Sequence, residues 1–352
     1  MFLLVLIYVS VYLAIIEKYK SSLLVMLPAF LVYFMVAAFQ YDVGTDYFSY
    51  VDIFEDENRH WFYFNKGEYL FFGLNQFLNW FSLPPQSIFI SISFIQATLF
   101  FFYLKLVKNK GFTVWLFFVV FFLVTNIYNN QLNGLRQYVV ISGLPLFTIL
   151  LYERKLLKSL ALLILFSFFH NTAWLLAVLY PAILIQKKLN ISLVFLFFVS
   201  GVGYLFLSGF MYDLTAFIFP DYLHYFEGRY SEPYPVSVFL SKLYYLPLIL
   251  YFFVIYRKGN ADVDDYVHSM LFVFSAVYWF FLLALSVGIT ARIYYYFIFF
   301  YIFPVYYTLH YNYVRKRVVE FILILAYIVL PYVLKVTVFA KAEFLYESVL
   351  WN

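Results

Sequence analysis

Cysteine is absent from the chain, which removes a disulfide framework, a thiolate nucleophile and any sulfur metal site. Charge is scarce as well, at 12% of residues with a net of +4, and no basic stripe is present, so nucleic acid is not an expected partner. Period-two alternation is missing from the apolar runs, which argues against an outer-membrane barrel with its polar lumen-facing residues. The first apolar stretch, residues 1–16, lacks a basic leader and a small-residue cleavage site and reads as a retained span. What remains is hydrophobic: 65% of the chain, in runs of about twenty residues from end to end, the pattern of an all-α polytopic integral membrane protein. The 48 Phe and 37 Tyr fit bilayer-facing packing and interfacial anchoring.

Long spans are expected near residues 1–16, 21–40, 84–106, 111–127, 135–152, 191–210, 238–256, 266–287, 293–310 and 318–338. Six short connections hold 15 of the 23 basic residues, among them Arg154, Lys155 and Lys158. Two long connections, residues 41–83 and 211–237, hold eleven of the 19 acids and three basic residues. The positive-inside rule therefore puts the clusters in the cytoplasm and the two long loops outside. Parity then requires residues 156–185 to go out and return, as two short helices meeting at the polar island His170, Asn171, Thr172. About 11–12 spans result, in a single transmembrane domain over 1–352 with no internal repeat. An amphipathic segment, Glu68 to Phe81, precedes Pro84-Pro85 and reads as an interfacial helix.

Three arginines, Arg136, Arg229 and Arg292, fall in polar breaks on the outer side, where positive residues are normally sparse. Arg136 and Arg292 also sit where a new hydrophobic helix begins, adding charge to the positive helix end. That placement is unfavourable unless an anion is bound. Guanidinium groups bind phosphate oxygens bidentately and stay charged at any relevant pH. Around Arg136 the island Asn129-Asn130-Gln131-Leu132-Asn133-Gly134-Leu135-Arg136-Gln137 supplies amide donors and acceptors suited to a polyol beside a phosphate, with Asn133 and Gln137 as binding candidates. The first long loop opens with Tyr41-Asp42-Val43-Gly44-Thr45-Asp46-Tyr47, whose carboxylates can serve as a base or hold sugar hydroxyls. Asp42 and Tyr47 are binding candidates there, and Asp46 a catalytic one. A plain solvated turn at Gly44 is the alternative. His170 is a base candidate, against a locally satisfied histidine. Asp262-x-Asp264 reads as a solvated turn, and no metal constellation or cofactor motif stands out. A lipid-linked diphosphate in the outer leaflet, carrying sugars, matches boundary arginines below amide-rich and Tyr-rich loops, which favours glycosyl transfer over transport.

The order Val43-Gly44-Thr45-Asp46-Tyr47 with Tyr50, then Leu135-Arg136-Gln137, then Phe169-His170-Asn171, then Arg292 resembles the EpsG family of bacterial membrane polysaccharide polymerases, the Wzy-like enzymes. The chain departs from that pattern at Tyr41-Asp42 and at Asn171. The resemblance implies a polymerase in the bacterial cytoplasmic membrane, moving a glycan from undecaprenyl diphosphate to the non-reducing end of another lipid-linked repeat unit, outside the membrane. Arg136 and Arg292, with Arg229 as a third, would stabilise the diphosphate leaving group without metal. His170, or in its place Asp46, would deprotonate the acceptor hydroxyl. A chain-length regulator is a further implied partner, beside membrane lipid and the lipid-linked donor and acceptor. The competing readings are a lipid-linked glycan flippase, expected to spread its cations through a central cavity, and a membrane O-acyltransferase using His170 toward a sugar hydroxyl.

Overall fold

The computed structural model describes residues 1–19, 22–189, 191–218, 223, 226, 236–258, 263–285 and 290–351. Those residues are overwhelmingly helical and divide into two units, Met1–Ala177 with Val318–Asn352, and Val178–Arg317. In chain order the first unit holds α1 (Phe2–Ile15), α2 (Leu23–Ala38), a two-residue strand β1 (Gln40–Tyr41), α3 (Tyr47–Glu55), α4 (Glu57–Asn65), α5 (Tyr69–Trp80), α6 (Gln86–Asn109), α7 (Val114–Val120), α8 (Ile127–Asn133), α9 (Leu135–Tyr152) and α10 (Leu156–Phe169). The second unit follows with α11 (Leu179–Leu189), α12 (Leu193–Leu207), α13 (Met211–Ile218), α14 (Val236–Leu243), α15 (Leu246–Arg257), α16 (Asp265–Val277), α17 (Ala291–Phe297) and α18 (Ile302–Val314). The chain then returns to the first unit with α19 (Val318–Thr337) and β2 (Glu347–Ser348), which pairs antiparallel with β1.

Among the described residues, six helices are long and apolar enough to cross a membrane: Gln86–Asn109, Leu135–Tyr152, Leu193–Phe217, Phe239–Arg257, Asp265–Ala284 and Val318–Thr337. The protein is thus an all-α, multi-pass membrane protein. Several further apolar stretches form shorter helices, including Leu23–Ala38, Leu156–Phe169 and Asn171–Gln186. The stretch expected as a span at 111–127 is helical over Val114–Thr125, and at its end the chain bends by 55° into a second short helix, Ile127–Asn133. Asn126 takes left-handed backbone there, with φ at 53°. Thr125 Oγ1 donates to the Phe121 carbonyl at 2.6 Å and accepts from Ile127 N at 3.1 Å, which satisfies backbone that the bend releases.

The first unit's geometry follows from two antiparallel neighbours. α9 runs to the basic turn at Glu153–Lys155 and α10 comes back beside it, so the start of α9 and the end of α10 lie at one end of the pair. Gly143 makes the approach close, since a Cβ there would overlap the ring of Phe166. α10 stops at Phe169; His170 is extended, with φ −153° and ψ 115°, and a 3-10 helix starts at Asn171. The first long loop folds onto this end as α3, α4 and α5. Asp56 caps α4 by accepting from Asn58 N at 2.9 Å. The amides of the amphipathic helix α5 turn inward: Asn79 Nδ2 donates to the Phe54 carbonyl at 3.0 Å, and Gln76 binds His60 Nδ1 at 3.0 Å. His60 Nε2 faces the same Phe54 carbonyl at 3.0 Å, so Nε2 carries the hydrogen and Nδ1 accepts from Gln76. Beneath lies an aromatic cluster in which Tyr50, Tyr63 and Phe71 pack with Phe89 and Leu135.

Within the second unit, α12 packs on α16, where Ser200 Oγ donates to the Ser275 carbonyl at 2.9 Å. Gln186 Nε2 donates to Ser269 Oγ at 2.7 Å, tying α11 to α16. Asp264 caps α16 through Val267 N at 2.7 Å, an ordinary structural task for one acid of the Asp262-x-Asp264 pair; Asp262 lies outside the described residues.

Candidate active site

The anion that Arg136 requires is supplied from within the chain. Glu68, the residue before α5, is fully buried, and its Oε2 pairs with Nη1 of Arg136. Its other oxygen accepts from His170 Nδ1 at 3.1 Å and from Asn171 N at 3.3 Å, with Lys66 Nζ at 3.8 Å. One carboxylate therefore joins the start of α9, the end of α10 and the start of α5. The arrangement follows from the fold: the antiparallel pair presents Arg136 and His170 at the same end, opposite the basic turn, and α5 packs against α10 through Tyr69 and Phe168, ring centres 5.3 Å apart.

Arg136 is clamped on its faces as well as its edge. Its guanidinium carbon lies 4.3 Å from the Tyr63 ring centre and 5.1 Å from that of Phe71. The same group hydrogen-bonds Tyr50, whose hydroxyl is pushed up by burial, an effect that the Arg136 charge opposes. For Glu68, burial alone would raise the carboxyl. The hydrogen bond from His170 and the charges of Arg136, His170 and Lys66 outweigh the burial and hold it down at about 2. Glu68 is an anion at physiological pH, and removing one member of such a buried pair costs about 3–5 kcal/mol because the other is left uncompensated. Because Nδ1 of His170 faces a carboxylate it carries the hydrogen, which leaves Nε2 as the basic nitrogen. Arg136 and His170 each keep 16% of their side chains exposed whereas Glu68 keeps none, so the cation and the base are reachable and the carboxylate between them is not.

The first-loop motif is docked beside this cluster by Asn133. Its Oδ1 accepts from Thr45 N at 2.7 Å and Asp46 N at 2.9 Å. Gly44 makes the approach possible: its φ is +82°, and a Cβ would overlap Asn133 Oδ1. Asp46, at the head of α3, is half-buried and accepts from Thr45 Oγ1 at 3.1 Å. Asp42 is exposed on left-handed backbone, φ 48°. Tyr47 is buried; its hydroxyl donates to Gln86 Oε1 at 3.1 Å and its ring stacks on Phe89 at 4.6 Å. Within the amide island, Asn129 and Gln131 turn away to accept from Tyr332 and Tyr33 at 2.9 and 3.2 Å. Gln137 is half-buried on the first turn of α9.

Arg292 is exposed on the first turn of α17, in the second unit, and Arg229 lies outside the described residues. Two members of the cluster, Glu68 and Lys66, escape sequence reasoning. Glu68 stands apart from the acidic run Asp52–Glu57 and directly heads an apolar helix, the one local sign that its carboxylate is not a solvated loop charge.

The model of the EpsG family matches residues 23–348, a range that contains every residue of this cluster. No curated protein and no solved structure matches the chain.

Proposed function

Because the chain belongs to the EpsG family, a membership that supports a polysaccharide-polymerase-like role in a multi-pass membrane protein, we propose that it polymerises lipid-linked oligosaccharide repeat units. The donor is a glycan on undecaprenyl diphosphate and the acceptor the non-reducing end of another lipid-linked unit, at the outer face of the bacterial cytoplasmic membrane. The observation that supports this reading is the convergence of an accessible arginine and an accessible histidine on one buried carboxylate, at the end of the α9–α10 pair away from its basic turn. By the positive-inside rule that end faces outward.

In the reaction the acceptor hydroxyl oxygen attacks the anomeric carbon of the donor. The bond from that carbon to the diphosphate oxygen breaks, its electron pair leaves with the diphosphate, and the hydroxyl proton goes to His170 Nε2. Proton removal by a positioned histidine contributes about 10²–10⁴-fold. Glu68 cancels one of the two fixed positive charges, Arg136 and Lys66, so the cluster keeps one net positive charge while His170 is neutral. That excess faces the charge developing on the departing diphosphate. Asp46 and Asp42, on the docked loop, with Asn133, Gln137 and Tyr47, are the groups we assign to sugar hydroxyls. Arg229 and Arg292 are proposed as further phosphate ligands, each testable by its own Arg→Gln substitution. A chain-length regulator would be a separate partner.

The test is a gel of surface glycan from a deletion strain carrying no gene, the wild-type gene or the His170→Ala gene. Collapse of the ladder to a single-repeat band, reversed by wild type alone, is the expected result. A normal ladder in the deletion strain would refute the polymerase and favour acyl modification, and loss of even the single-repeat band would indicate a flippase.

A further inference from the structure

We propose that Glu68 is a positioning residue for the glycosyl transfer, holding His170 in the tautomer and orientation whose Nε2 takes the acceptor proton while it fixes Arg136 beside it. The inference rests on the polymerase reading and adds a residue to it. Three observations carry it.

The first is connectivity. Both carboxylate oxygens are engaged, Oε2 by Arg136 and Oε1 by His170 Nδ1 at 3.1 Å and Asn171 N at 3.3 Å. The ring nitrogen and the next backbone amide are held by one atom, so the imidazole and the chain that carries it are located together. The second is inaccessibility. A carboxylate with no exposed surface cannot touch a glycan, whereas the His170 and Arg136 side chains that it joins retain exposed surface. The third is chain position: α10 has ended, and His170 lies in a single extended residue between α10 and a 3-10 helix, where helix packing alone does not fix a side chain. A polar residue at a helix break needs such an external anchor.

The electrostatics follow from the contacts. When Nε2 accepts a proton, the imidazolium forms beside a carboxylate already present, so the charge is met without rearrangement. The titratable and charged groups facing Glu68 are Lys66 before α5, Arg136 on α9 and His170 after α10, with Tyr50 on α3 and Tyr63 on α4 across the guanidinium. No other carboxylate belongs to the ion pairs of this cluster among the described residues.

The test uses the full-length chain purified in detergent and the strain's own polyprenyl-diphosphate-linked repeat unit, extracted from the deletion strain. Rates are measured against pH for wild type, Glu68→Gln and Glu68→Asp, each normalised to monodisperse protein. The acidic limb of the wild-type profile reports protonation of the base. Glu68→Gln is expected to lower kcat by about 10²-fold or more with a smaller change in KM. It should also move the acidic limb down by about one to three pH units, because the imidazolium loses its counter-charge. Glu68→Asp keeps the charge on a shorter stem and should leave the limb in place with kcat reduced. A merely structural Glu68 would lower the yield of folded protein while kcat and the limb per folded molecule stayed at wild-type values, and that result overturns the inference. If Glu68→Gln is not recovered folded, Glu68→Asp decides: unchanged kcat overturns it, and reduced kcat at an unmoved limb supports it. A wild-type protein that extends no repeat unit at any pH overturns the polymerase reading and this inference with it. An active wild type with an indifferent Glu68→Gln overturns this inference alone.

Discussion

Replacing Gly44 by alanine should release the first-loop motif from the start of α9. Gly44 sits at φ +82°, where an added Cβ both strains the backbone and overlaps Asn133 Oδ1. The left-handed conformation costs an ordinary residue about 1–2 kcal/mol. Relieving the overlap displaces the one oxygen that holds Thr45 N and Asp46 N at 2.7 and 2.9 Å, two hydrogen bonds of about 1 kcal/mol each. With the loop free to relax into one loss or both, the docked state is weakened by about 1–4 kcal/mol, or roughly 5- to 900-fold in the opening equilibrium. Hydrogen exchange of the Thr45 and Asp46 amides reads this directly, since both should exchange faster by that factor while the core of α9 stays protected. The absence of native cysteine gives a second readout: a single Thr45→Cys should label faster when Gly44 is also replaced. Asn133→Ala should reproduce the exchange effect without touching Gly44. Unchanged protection in Gly44→Ala would refute the docking of this loop by Asn133.

Gly143→Ala should push α9 from α10 at Phe166 and loosen the Arg136–Glu68–His170 junction at their shared end; overpacking of this kind costs about 1–3 kcal/mol. A lower thermal midpoint together with reduced polymer yield is expected, and Phe166→Leu in the same chain should recover part of both. Arg136→Lys keeps the charge yet should lose most activity, because a point charge cannot pair with Glu68, reach Tyr50 and stack on Tyr63 and Phe71 at once; full polymer length in that variant would count against the planar clamp. Acid should destabilise the cluster in a defined window. Glu68 has its folded value lowered from 4.5 to about 2, so its contribution is fully present above about pH 4.5 and is lost as pH falls toward 2. Thermal midpoints measured across that interval should fall for wild type and fall less for Glu68→Gln.

Much of the helical, multi-pass architecture is legible in the sequence because apolar length reports it directly. The turn at Arg154–Lys158 between two apolar runs is enough to bring Arg136 and His170 to one end, and the polar island at His170 marks the place where α10 stops. What the sequence does not disclose are partnerships across long chain separations. Arg136 plainly needs an anion, yet the place of Glu68 at the head of an apolar helix does not by itself pair it with an arginine 68 residues away. The amide island reads as one polar surface, but only the fold separates Asn129 and Gln131, which bind buried tyrosines, from Asn133, which docks the loop. The bend at Asn126 falls where the apolar run gives way to the amide island, yet no glycine marks its left-handed residue, and the compensation comes from a single neighbouring threonine.

The most direct measurement is made on purified full-length protein supplied with only a polyprenyl-diphosphate-linked repeat unit, following both glycan length and released polyprenyl diphosphate. A ladder of two, three and more repeats is expected, with one lipid diphosphate freed for each linkage made, and neither product from His170→Ala. Release of lipid diphosphate without longer glycan, or an undiminished ladder from His170→Ala, would contradict the polymerase reading.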